Sequence, residues 1–169
     1  LGATLPELTN AVTKTTTACF EPALDYLVLK LPRWDLGKFE NASARIGTEM
    51  KSVGEVMAIG RSFEEVLQKG LRMLAIGALG FTANRNAKFT IRDFAAEIKN
   101  PTSRRVFAIA EAMRAGMSVE KIRNLSRIDP WFLEKMRNII VLEFKISASR
   151  NSLSAEILLD AKKRGFSDK

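Results

Sequence analysis

Apolar residues recur along this chain in two rhythms, and the change from one to the other divides it near residue 75. Between Pro22 and Pro32 the run ALDYLVLKL sets Leu27, Leu29 and Leu31 on one side of an extended chain and Tyr26 and Val28 on the other. A short apolar run closed by prolines predicts a strand buried on both faces. A second alternation sets Val53, Met57 and Ile59 against Val56 and Ala58, with a glycine at 54 and a carboxylate at 55. It predicts a buried strand opening at Met50 and passing close to another backbone. The period then lengthens. Ser62 with Glu65 reads as a capping box, Lys69 and Arg72 fall in the later turns, and apolar positions 63, 66, 67, 71 and 74 line one helical face. Residues 20–75 thus predict a small sheet with one helix. The connection PRWDLGKFENASARIGTE carries a helical turn near Lys38, and the threonine-rich residues 1–19 read as an irregular arm.

Beyond Leu74 the strand rhythm does not return. AIGALGFTANRNA, broken by glycines and small residues, reads as a linker over 76–89. Helices follow. Thr90 caps the first, which buries Ile91, Phe94, Ala95 and Ile98 and stops at Asn100 before Pro101. The next runs from about Ser103 to Gly116 over Val106, Ile109, Ala110 and Met113, and Ser118 caps a short one with Val119, Ile122 and Leu125 inward. Asp129 before Pro130 starts a longer helix through Phe132, Leu133, Met136, Ile139, Ile140 and Phe144. The last, Ser154 to Arg164, closes on Gly165 with Phe166 folding back in a Schellman ending. The fold class is α+β: a strand and helix unit over 1–75, a linker over 76–89 and an all-helical bundle over 90–169.

Charge changes this picture little. The net charge of +8 and pI near 9.9 invite a nucleic-acid reading, yet Lys and Arg are spread among acids, and the one tight cluster, Lys162 to Arg164, sits at a helix end. AMRAGMSVEKIRNLSRIDPWFLEKM has the cadence of a helix-turn-helix. Its second helix opens on Asp129, Pro130, Trp131 and Phe132, where base readout wants Arg, Asn or Gln, so nucleic acid is not an expected partner. The apolar run Met73–Phe81 is half the ~18 residues of a membrane span, and no membrane partner is expected. The absence of histidine removes the commonest general base, and neither a phosphate-binding glycine loop nor a CxxC pair occurs. No catalytic, cofactor-binding or metal-ligating residue is assigned. Cys19, the single cysteine, fits a reducing compartment, and the expected location is the cytoplasm, with the mitochondrion as the alternative.

Longer strings are more specific than these patterns. MKSVGEVMAIGR, FEPALDYLVLKLPRWDL, IDPWFLEKM and the closing GFSDK together resemble, in order, the large chain of carbamoyl phosphate synthetase. The resemblance implies that residues 1–75 are the end of the first, carboxyphosphate-forming ATP-grasp module and that 90–169 are the helical oligomerisation domain. It implies a parent enzyme making carbamoyl phosphate from bicarbonate, ammonia and two ATP with Mg or Mn. The family's glycine loop and metal motif do not occur here, so bridging and oligomerisation, not catalysis, are expected of this segment. Implied partners are the remainder of the large chain, a glutaminase subunit or domain, and a second copy. Met50, Ser52, Gly54 and Glu55 resemble the family's strand beside its internal channel, against the plainer reading of Met50 as core. Arg33 and Arg61 are expected in salt bridges to Asp25, Asp35 or Glu64. Excess apolar surface on the longest helix assigns Ile139, Ile140, Leu142 and Phe144 to a protein contact.

Overall fold

The computed structural model describes residues 2–82, 84, 91–149 and 152–168. Among them two strands, β1 (Leu27–Arg33) and β2 (Gly54–Gly60), form an antiparallel pair. Six helices follow: α1 (Phe63–Met73), α2 (Phe94–Lys99), α3 (Arg105–Arg114), α4 (Val119–Ser126), α5 (Pro130–Ala148) and α6 (Ala155–Lys163). This is the α+β architecture that the two rhythms predict. A single 3₁₀ turn at Leu36–Lys38 matches the turn expected near Lys38, and the arm holds another at Leu5–Glu7 and an isolated bridge between Thr9 and Thr17.

The sheet is one-sided. Leu29 faces Ala58 and Leu31 faces Val56 across the ladder, and these four lean on α1. Tyr26, Val28, Val53, Met57 and Ile59 stand exposed on or beside the opposite face, so the expectation of burial on both sides fails. Two strands and one helix can cover only one face of a sheet. Gly70 explains how closely the helix comes: a Cβ there would lie 2.5 Å from the Leu31 Cδ1. β2 also starts later than expected. Val53 N–H still donates to the Arg33 carbonyl at 2.9 Å, but Met50 is 95% exposed and is no core residue.

Capping chemistry sets the helix starts. The Ser62 side chain accepts from the Glu65 N–H, Ser118 from Lys121, Asp129 from Trp131 and Ser154 from Ile157. At α1 the box is half formed. The Glu65 carboxylate turns to the N–H of Arg61 at 2.8 Å and to Lys69, and these hold its pKa below the ordinary 4.5, Lys69 contributing most. A lowered folded-state value stabilises the fold above the unfolded pKa, and that contribution disappears as pH falls through the folded value. Urea midpoints should therefore fall on acidification below about pH 4.5, and Glu65→Gln should remove part of that slope; an unchanged slope would exclude this pair as a contributor. α2 begins at Phe94 under an Asp93 cap, not at Thr90, which lies outside the described residues. α3 and α6 both end as Schellman motifs, with Met117 N–H on the Ala112 carbonyl, Phe166 N–H on the Ala161 carbonyl, and Gly116 and Gly165 at φ +87° and +80°.

One hydrophobic cluster runs through the molecule. Phe63, Leu67 and Leu71 from α1 and Leu74 at its C-cap pack with Phe107, Ile109, Ile122, Leu133, Ile139 and Ile140 from the later helices. The expected linker is part of it as far as it is described: Ala78 is 7% exposed, Phe81 1% and Thr82 3%. As far as residue 82, this stretch packs with the bundle, and α1 spends one side on the sheet and another on the bundle.

Candidate functional site: a polar seam and the outward apolar faces

Three polar residues on α1, at 64, 68 and 72, repeat every four positions and share one stripe. Glu64 is 4% exposed, accepts from Asn138 Nδ2 at 2.9 Å, and faces Arg164 at 3.7 Å and Lys135 at 4.0 Å. Gln68 accepts from the Phe81 N–H at 2.7 Å. Arg72 donates to the carbonyls of Leu79 at 3.1 Å and Gly165 at 2.7 Å, and its burial lowers its pKa. The stripe stitches the strand and helix unit to α5, α6 and the 76–82 segment. Reading only the apolar stripe hides it, although the spacing is present in the chain. Arg33 pairs with Asp35 at 2.9 Å, as expected, and also donates to the Leu74 carbonyl; the Asp35 pKa is held below its ordinary value, by Lys38 most and then by Arg33, with burial opposing them.

The four channel candidates do not converge. Met50 points to solvent, Ser52 and Gly54 are half-buried, and Glu55 lies on the exposed sheet face in an ion pair with Lys30 at 3.3 Å. The contact candidates on α5 need correction. Ile139, Ile140 and Leu142 are 0%, 2% and 3% exposed, consumed within this chain because α5 packs against α1, α3, α4 and α6. Phe144, at 49%, remains outside, joined by Val141 three residues earlier at 45%, with Arg137 and Ala148 on the same exposed side. Leu158 and Leu159 of α6 are exposed as well. At the other end of α5, Trp131 and Phe132 pack edge-on to each other at 5.0 Å and against Phe63 at 5.7 and 5.4 Å, with Lys135 over the Trp131 ring. Among the described residues no group of three or more His, Cys, Asp or Glu is placed to hold a metal ion, and no helix is long and apolar enough to cross a membrane.

Residues 55–169 match the family described as the oligomerisation domain of the carbamoyl-phosphate synthetase large chain. The chain belongs to that family. The arginine-specific mitochondrial large chain of Schizosaccharomyces pombe is 53% identical over 99% of this chain and 14% of its own length. The Methanothermobacter thermautotrophicus large chain is 50% identical over 99% of this chain and 15% of its own, and the multifunctional protein pyr-3 of Neurospora crassa 46% identical over 100% and 9%. The chain thus spans at most about a seventh of these relatives and corresponds to a part of the large chain. The helix-turn-helix alternative gives way to this family. The match opens inside β2 and takes in α1 together with the bundle, while the core extends further, to Leu29 and Leu31 of β1.

Proposed function

We propose that this segment bridges and self-associates within a carbamoyl phosphate synthetase, and takes no part in its chemistry. The observation that carries the reading is the apolar outer side of α5, Val141 and Phe144, left exposed after the helix has packed against α1, α3, α4 and α6. A second copy covers it, and the remainder of the large chain covers the outer sheet face of Val28, Met57 and Ile59. ATP, its Mg or Mn, bicarbonate and the glutaminase partner are handled by other parts of the parent, and Met50 to Glu55 face those parts. Mitochondrial placement is favoured over cytoplasmic by the name of the fungal arginine-specific relative.

Sedimentation equilibrium tests the interface. The chain should form a discrete oligomer, and Val141→Arg with Phe144→Glu should reduce it to monomer with an unchanged circular dichroism spectrum, since both residues are exposed. Association that survives that pair but disappears in Met57→Lys with Ile59→Lys would move the contact to the sheet and overturn the assignment to α5. ATP turnover with bicarbonate by this chain would overturn the non-catalytic reading.

A further inference from the structure

The end of β1 and the strap from Trp34 to Ile46 lie across the start of α3, where Ile46 N–H donates to the Pro101 carbonyl at 2.7 Å. Beneath the strap is a cavity of about 560 Å³, within the range of ligand-holding clefts. Its floor is core: Leu71, Leu74, Phe107, Ile109 and Met136, each under 9% exposed. Its charged lining consists of Arg33, Asp35 and Arg105. Arg33 pairs with Asp35, a carboxylate it shares with Lys38. Among the described residues Arg105 reaches only carbonyl oxygens, those of Ile98 at 2.7 Å and Ser126 at 3.0 Å, and burial lowers its pKa. An apolar cleft with a guanidinium that no carboxylate of the described residues matches selects a ligand with an apolar body and a single negative charge.

We propose that this cavity is a binding site for a small amphipathic anion, with the apolar body against Leu71, Phe107, Ile109 and Met136 and the anionic head toward Arg105 and Arg33. The site is separate from the outer face of α5, since neither Val141 nor Phe144 lines it. Trp34 lines the cavity, so its fluorescence reports occupancy once the other tryptophan is removed by Trp131→Phe. The probes are decanoate, decan-1-ol and decyltrimethylammonium, titrated into that chain below their micelle concentrations. Decanoate should bind saturably, about tenfold or more tighter than the alcohol, the lower end of what a charge-assisted hydrogen bond contributes, and the cation should bind weakest. Added salt should weaken decanoate and leave the alcohol unchanged. Ala44→Phe, at an exposed position of the strap, should block both decanoate and the alcohol. Arg105→Gln should bring decanoate down to the level of the alcohol; because Arg105 also ties α2 and α4 to α3, the salt and headgroup series on the Arg105 chain decides the matter if that variant does not fold. Equal affinity for the three headgroups, affinity untouched by Ala44→Phe, or no saturable binding would each overturn the proposal; the last would leave the cleft to side chains from the rest of the parent.

Discussion

Phe81→Ala should destabilise the chain by about 3–5 kcal/mol, a large part of the ~5–15 kcal/mol that holds a domain of this size. Phe81 is 1% exposed, the largest fully buried side chain among the described residues, and it sits in the same cluster as Leu71, Ile98 and Ile139. Truncation removes the ring's transfer free energy and leaves a hole that backbone cannot close, because the Phe81 N–H is held by the Gln68 side chain. Urea unfolding followed by circular dichroism measures the loss as a fall in midpoint at constant slope. Residue 81 stands in a stretch whose glycines mark it as a tolerant connection. A cost below about 1 kcal/mol would mean that the stretch is the loose linker its composition suggests.

Gly165→Val should cost about 3 kcal/mol or more, and should act on the docking of α6 rather than on its helicity. Two effects add. At φ +80° a β-branched residue is strained by roughly 1–3 kcal/mol. A Cβ would also stand 3.0 Å from the Glu65 carbonyl oxygen and 3.1 Å from the Gln68 Cβ, so the helix end must retreat from α1 and Arg72 loses its bond to the Gly165 carbonyl. Gly165→Ala meets the same backbone with less bulk and should cost less. Amide hydrogen exchange is the discriminating measurement: protection should fall first in α6 and in the 79–81 segment that shares Arg72. Equal loss everywhere would mean that α6 is not a separable unit.

Both substitutions strike residues whose importance is only partly visible in the chain. The Gly165–Phe166 ending is legible, since glycine one step past a basic last turn with an apolar residue after it has few other uses. The contact that makes Gly165 costly to replace is not, because Glu65 lies 100 positions earlier. The same contrast holds at α1. Its apolar positions 63, 66, 67, 71 and 74 are all buried, and Ser62 caps it. That Glu64 and Gln68 are buried too depends on which side of the helix the bundle approaches, and Asn138 and Phe81 supply the partners that make such burial affordable.

Short-range chemistry lies within the reach of sequence: two alternating runs, six helices, the Ser62, Ser118 and Asp129 caps, the Gly116 and Gly165 ends and the family strings, though not the Asp93 cap of α2. These depend on residues within one or two turns of each other, so the chain by itself determines them. Tertiary structure decided what each face meets. It turned the first strand from two-sided to one-sided burial and exposed one face of the second, drew the 76–82 stretch into the core, and consumed Ile139, Ile140 and Leu142 while leaving Val141 and Phe144 outside. An apolar residue satisfies its pattern equally well against its own chain or against a partner, and only the arrangement of the neighbouring elements selects between the two.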